Sequence, residues 1–211
     1  VAASLYFTQG ESCHAPSRVL VHESIAKRFT ELVAAEAPQY APGHPLDPGT
    51  VLGAIVDEPQ MGTVLRYIEA GRSEGARLVA GGRRVMQDSG GFYVEPTVFD
   101  GVLNSMTIAR EEIFGPVMGI LTFKTEAEAV AIANNSAYGL QASVWSDHLS
   151  RAHRVARALR AGTVHVNQYD EDDITVPFGG VKQSGYGRDK SLHAFDKVTE
   201  LKTTWIRIDA A

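Results

Sequence analysis

A single cysteine, Cys13, stands among 211 residues. An intrachain disulfide is excluded, which fits a reducing, cytoplasmic setting. The seven histidines are scattered. None forms an HExxH pair or joins the cysteine in a cluster of metal-ligand spacing, so no metal site is expected. Cations are in the minority, 20 against 25 acids for a formal charge of −5. With no basic surplus to neutralise phosphates, nucleic acid is not an expected partner. No apolar run approaches the roughly 20 residues that cross a bilayer, so no membrane association is expected either. The first residues, Val1 to Phe7, lack both a methionine and a basic leader. They read as the middle of a helix rather than a secretory signal, which makes the chain part of something longer.

What is present is the alternation of an α/β protein. Hydrophobic residues make up 44% of the chain, enough for one packed core. Val19–Val21 reads as a short strand, followed by a helix with Ile25, Phe29, Leu32 and Val33 on one face. Residues 42–49 are a loop by composition. Met61, Val64, Leu65 and Ile68 mark a second helix, closed near Gly71 or Gly75. Strands are expected at 76–80 and 92–94. Val117–Phe123 is a buried strand, and Thr125 with Glu128 forms a capping box that opens the next helix. A strand at 143–145, a helix striped by Leu149, Ala152, Val155, Ala156 and Leu159, and a strand at 163–167 complete the alternation. This order predicts a mostly parallel open sheet flanked by helices. Residues 198–208 are β-branched and partly alternating. They predict a terminal strand whose neighbour is this sheet or another subunit.

Cys13 lies in a small, polar stretch, Gln9 to Arg18, that reads as an exposed turn between a helix and a strand. A thiol there is open to a substrate, and its thiolate is the nucleophile. His14 is adjacent, but neighbouring side chains usually point apart, so the two are not paired. Two acids, Glu111 and Glu112, precede Ile113-Phe114-Gly115-Pro116-Val117, a stiff corner at a strand start. Asn167 ends a strand, and Pro177 to Arg188 is a glycine-rich run. That run matches neither a Walker loop nor GxGxxG, so it does not read as a pyrophosphate cradle.

The cysteine segment, the EEIFGPV corner and the VN…PFGG.K.SG.GR stretch, in that order, resemble the aldehyde dehydrogenase superfamily over essentially the whole chain. Features such as the 42–49 loop and Glu200-Leu201-Lys202 look like its γ-glutamyl-γ-aminobutyraldehyde subgroup. The resemblance implies that residues 1–196 are the cysteine-bearing catalytic part and 197–211 an oligomerisation strand and tail. It also implies that the nucleotide-binding domain, the general-base glutamate and an oxyanion-binding asparagine lie before Val1. Cys13 is then the nucleophile, passing through a thiohemiacetal and a thioester. Glu112 and Phe114 hold the cofactor, NAD or NADP with NAD favoured. Ser12, His14, Asp172 and Phe178 form the aldehyde pocket. The backbone N–H of Cys13 is a candidate oxyanion donor. Glu11 is not the family base. A small-molecule aldehyde is the expected substrate, a homodimer or homotetramer the expected assembly. The acidic run Asp170 to Asp173 borders the aldehyde entrance on this resemblance and favours a cationic aldehyde. Two other readings remain open: a fragment that mainly supplies an oligomer interface, and a cofactor-free thiol esterase.

Overall fold

Short polar side chains set where the helices begin. In the computed structural model, which describes residues 1–169 and 173–209, Thr125 caps helix α5 (Glu126–Asn134) by accepting from the Glu128 N–H at 3.2 Å. Glu128 reaches back, but to the N–H of Lys124, at 2.8 Å. The expected box is thus closed one residue further out, and still satisfies two of the helix-end donors. Asp57 caps helix α3 (Glu58–Ser73) in the same way, accepting from Gln60 N at 2.8 Å.

Four strands make the main sheet: β1 (Arg18–His22), β2 (Arg77–Ala80), β5 (Thr97–Asp100) and β6 (Val117–Phe123). Their order is β1-β6-β5-β2, parallel except for the antiparallel edge strand β2. Two-stranded pieces are formed by β3 (Arg84–Val85) with β4 (Tyr93–Val94), antiparallel, and by β7 (Gln141–Val144) with β8 (Thr163–Val166), parallel. The expectation of a mostly parallel sheet flanked by helices is met. Strand β5 was not anticipated, although it sits between β6 and β2. Only Val98 and Phe99 are apolar in it, and Thr97 reads as a turn residue. Thr97 is nevertheless fully buried, its hydroxyl accepting from Gly82 N at 3.0 Å and donating to the Glu95 carbonyl at 2.8 Å. Burial of a hydroxyl is tolerated when both its functions are met.

Both faces of the sheet are covered. On one, α3 lays Met61, Val64 and Ile68 against Phe99, Val117 and Leu121. Gly71 of the same helix has no side chain because a Cβ there would lie 3.1 Å from the Phe99 ring. On the other, α1 (Ala2–Tyr6) and α2 (Glu23–Glu36) pack Leu5, Tyr6 and Val33 against Val98, Met118 and Ile120. The buried stripe of α2 is Ala26, Phe29, Thr30, Val33, followed by Ala37. Ile25 and Leu32, expected on that face, are exposed, since each lies about 100° around the helix from a stripe position. Leu149, at the start of α6 (Leu149–Ala158), is exposed as well, while Ala152 is buried. Among the described residues no helix is long and apolar enough to cross a membrane.

The terminal strand is not seen within this chain. Residues 198–209 have no strand assignment, and Leu201, Trp205, Ile206 and Ile208 stand in solvent. An extended segment cannot satisfy its own backbone groups, and among the described residues no strand edge pairs with it.

Glu11 ties the cysteine turn to the approach of α3, accepting from Val56 N at 3.1 Å. Partial burial raises its carboxyl above the ordinary glutamate range, against the pull of that hydrogen bond, and Asp57 adds to the rise. The folded chain therefore holds this proton more tightly than the unfolded one. The stability it contributes is complete below the unfolded pKa of about 4.3 and is lost as pH rises through the folded value. Glu11→Gln keeps an acceptor for Val56, so it is expected to melt above wild type at pH 7.5, the gap closing as pH falls toward 4. A gap independent of pH, measured by calorimetry, contradicts this. Phe99→Ala, which empties the centre of the sheet, is expected to cost about 4 kcal/mol in urea unfolding. A loss below about 1 kcal/mol would show that β5 is not core.

Candidate active site

Helix α1 ends in two left-handed residues, Gln9 (φ 58°) and Gly10 (φ 70°). The chain reverses there because Tyr6 is locked in the core, its hydroxyl 3.4 Å from the Thr97 carbonyl and its ionisation pushed up by burial. Gly10 then meets the backbone of Gly115 and Pro116. A Cβ on Gly10 would stand 2.1 Å from the Gly115 carbonyl oxygen. Left-handed backbone alone costs an L-residue about 1–2 kcal/mol; the overlap makes a side chain impossible without moving the corner.

This contact sets the cysteine turn beside the 111–117 corner. Cys13 is exposed at the turn, which closes through Ala15 N–H donating to the Ser12 carbonyl at 3.0 Å. The Cys13 N–H donates to no backbone carbonyl among the described residues. His14 does turn toward its neighbours: Nδ1 lies 3.1 Å from Ser12 Oγ and 3.9 Å from Cys13 Sγ. The expectation that the two side chains point apart fails because the chain curls at this turn instead of extending.

The corner itself is bolted to α3. Gln60 Nε2 donates to the carbonyls of Ile113 (3.1 Å) and Phe114 (2.8 Å), and Tyr67 donates to Glu111 Oε2 at 2.9 Å. Gly115 leaves room for Val64, which a Cβ would approach to 2.4 Å. Phe114 adopts φ 55° with its side chain 37% exposed. A bulky residue held left-handed and half in solvent marks a functional constraint. Glu111 is thus engaged by Tyr67, whereas Glu112 has no side-chain partner among the described residues and is exposed.

Cys13, Ser12, His14, Glu112 and Phe114 all line one cleft of about 890 Å³. Phe178 is not on its wall; its ring meets His14 edge-on at 6.0 Å, with Lys190 Nζ 5.5 Å from it. Asp172 lies outside the described residues. Three contributors were missed in the sequence: Gln60, Trp145 and Tyr169. Trp145 follows β7 directly and lines the cleft, and position beyond the carboxyl end of a strand is the signal that could have found it. Tyr169 donates from its hydroxyl to the His14 carbonyl and stacks on His165 at 6.1 Å, 24° between planes. The cleft also runs along Arg18, Val19 and Leu20 of β1 and along all of β7, strands that among the described residues pair only with β6 and β8 respectively.

The glycine-rich run proves to be a fastening. Arg188 Nη1 donates to the carbonyls of Gly180, Gly187 and Tyr186, at 2.7, 2.9 and 3.2 Å. Lys182 Nζ donates to those of Asn134 (2.9 Å) and Ser136 (3.0 Å), at the carboxyl end of α5, where a cation is favoured. Gly162 and Gly179 are backbone crossings: a Cβ on Gly162 would reach within 1.7 Å of the Gly179 oxygen. Asn167 (φ 55°) clasps Ser146, accepting from its N–H at 2.8 Å and donating to its carbonyl at 3.1 Å.

Glu112 and Phe114 line one cleft with the thiol, and a carboxylate beside an exposed aromatic has the chemistry that would hold a ribose. Among the described residues no cluster of potential metal ligands occurs. The Aldehyde dehydrogenase family profile matches residues 1–204. The chain is 47% identical over 209 residues to the NADP/NAD-dependent aldehyde dehydrogenase PuuC of Escherichia coli, covering 99% of this chain and 41% of that protein. Its fold matches a Pseudomonas syringae AldA indole-3-acetaldehyde dehydrogenase variant in complex with NAD+ and IAA (TM-score 0.95, 61% identity, 98% of this chain, 42% of that one). It also matches γ-glutamyl-γ-aminobutyraldehyde dehydrogenase from Burkholderia cenocepacia (0.92, 57%, 96% and 41%). The chain spans about two-fifths of the length of these relatives. It belongs to the aldehyde dehydrogenase family.

Proposed function

We propose that the chain is the cysteine-bearing catalytic part of an enzyme that oxidises an aldehyde to the carboxylic acid with NAD or NADP. One observation carries the reading: an exposed thiol shares a cleft with a carboxylate that has no side-chain partner among the described residues and with an aromatic held in a left-handed conformation. Cys13 Sγ adds to the aldehyde carbon, and the unengaged Cys13 N–H faces the oxygen as charge develops on it. Glu112 accepts from the ribose and Phe114 packs beside it, so both orient the cofactor. The nicotinamide supplies the two-electron oxidant. Ser12 and His14 flank the thiol, and Phe178 bears on the aldehyde through His14.

The relatives are more than twice as long, and the nucleotide-binding domain and the base that activates hydrolytic water belong to that further length. Residues 1–196 then form the catalytic part, and the unpaired edges of β1 and β7 are where further chain joins the sheet. The exposed apolar tail, 198–208, pairs with another subunit. The 211 residues alone bind cofactor weakly and turn over poorly.

For the substrate, an amino- or γ-glutamylamino-aldehyde is favoured. Supporting it are the activity for which the Burkholderia cenocepacia relative is named and the acidic run ending at Asp173. The Asp173 carboxyl is held below its ordinary range by hydrogen bonds from Thr175 N and Oγ1, both 2.8 Å, and so stays anionic. A second reading, a neutral aromatic aldehyde, is favoured by the higher identity to the indole-3-acetaldehyde enzymes, 61 and 62%.

With the full-length enzyme, kcat/KM for γ-glutamyl-aminobutyraldehyde is expected to exceed that for hexanal and for indole-3-acetaldehyde by at least about tenfold, the scale of a modest difference in pocket contacts. Comparable values for the three aldehydes defeat the cationic preference, and an indole-3-acetaldehyde optimum establishes the second reading. Cys13→Ala is expected to abolish dehydrogenase and esterase turnover while leaving the melting temperature within a few degrees of wild type, as for a small exposed side chain. Retained turnover removes Cys13 from the mechanism.

A further inference from the structure

Resting on the reading of Cys13 as nucleophile, the arrangement of peptide groups around it assigns a role to a residue far away in sequence. The Ser12–Cys13 peptide presents its N–H, on Cys13, to the reacting oxygen. Its carbonyl, on Ser12, accepts from Ala15 N at 3.0 Å. That donor belongs to the His14–Ala15 peptide, whose carbonyl, on His14, accepts from the Tyr169 hydroxyl. Three donors thus run head to tail: the Tyr169 O–H to the His14–Ala15 peptide, that peptide to the Ser12–Cys13 peptide, and the last N–H to the substrate. Hydrogen bonds in such a series polarise one another, each accepted bond making the next donor stronger. The chain is also geometric, since fixing the two carbonyls fixes the plane of the Cys13 N–H.

Tyr169 is itself held from the sheet. Its ring stacks on His165 of β8, a residue only 7% exposed whose Nε2 has no hydrogen-bond partner among the described residues. Packing, not hydrogen bonding, therefore sets the His165 ring and with it the platform beneath Tyr169. The ring of Tyr169 lines the cleft without reaching the thiol by any hydrogen bond shown between them.

We propose that Tyr169 is a positioning residue for acyl transfer, orienting and strengthening the Cys13 N–H as oxyanion donor through the His14–Ala15 and Ser12–Cys13 peptide groups. The claim separates two reactions of the same sulfur. When Cys13 attacks p-nitrophenyl acetate, the S–C bond forms, the carbonyl π pair moves onto oxygen, and p-nitrophenolate then leaves as the thioester forms; the thiol proton passes to solvent. That path goes through an oxyanion. Alkylation by iodoacetamide displaces iodide at a saturated carbon and forms none.

The test is made on the full-length enzyme that contains this chain, comparing wild type with Tyr169→Phe, which keeps the stacked ring and removes the hydroxyl. The p-nitrophenolate burst is expected to slow about tenfold, a fraction of the loss on the order of 10² to 10³ that deleting an oxyanion donor causes. Alkylation should change by less than about twofold, a difference too small to reflect a lost hydrogen bond. Tyr169→Phe with an unchanged burst overturns the proposal, and so does a fall in both reactions together, which marks a structural role. His165→Leu, which keeps an apolar support of similar bulk and the Tyr169 hydroxyl, should leave the burst above that of Tyr169→Phe; a burst as slow as that of Tyr169→Phe shows that packing and not the hydroxyl carries the effect, and overturns the proposal. A wild-type chain that is alkylated but never acylated fails differently: it removes the nucleophile reading, and the present proposal with it.

Discussion

Everything at the site depends on two glycines whose backbones touch. Gly10 ends the turn out of α1, Gly115 lies in the corner just before β6, and neither has room for a methyl group. The contact draws together segments about a hundred positions apart in the chain, one carrying the thiol and the other the carboxylate and aromatic. It is made between rigid parts. Behind Gly10 stands Tyr6, buried in one core; behind Gly115 stands Val64, buried in the other. The separation between sulfur and corner is thus fixed by the packing of both faces of the sheet, not by any direct bond between the reacting groups.

Around that contact the division of labour between carboxylates becomes clear. Glu111 is spent on Tyr67 and Glu11 on the Val56 amide, so both serve the scaffold. Among the described carboxylates that line the cleft, Glu112 is the one without a side-chain partner. The glycine-rich run at 177–188 is scaffold too. Its arginine and lysine satisfy five carbonyls between them and keep the loop entering β7 against the sheet. Its glycines are there because main chain crosses main chain.

The site was largely legible in the sequence because its parts sit on conspicuous motifs: a cysteine in a small polar turn, and two acids before an aromatic, a glycine and a proline. Long periodic elements were legible for a simpler reason, since α3 and β6 carry enough apolar residues in register to reveal their period. What could not be read depends on neighbours distant in the chain. Strand β5 is four residues long, and its Thr97 is buried only because Gly82 and Glu95 come to it. The inner face of α2 is set by which residues meet Met118 and Ile120, and small Ala26 and Thr30 win there over larger Ile25 and Leu32. The tail at 198–208 has the composition of a strand, but pairing is a property of two segments, and only one is present. The curl that brings His14 back over Cys13 likewise depends on a hydrogen bond from residue 169.

The sequence contains two tryptophans, and the fold sends them to unlike places. Trp145 lines the cleft and is 59% exposed; Trp205 stands in the tail and is 92% exposed. Each indole therefore emits from water in the isolated chain. Whatever fills the cleft dries the first, and whatever covers the tail dries the second. Single replacement of either by phenylalanine leaves a one-colour optical gauge, so occupancy and assembly can be followed separately in the same solution.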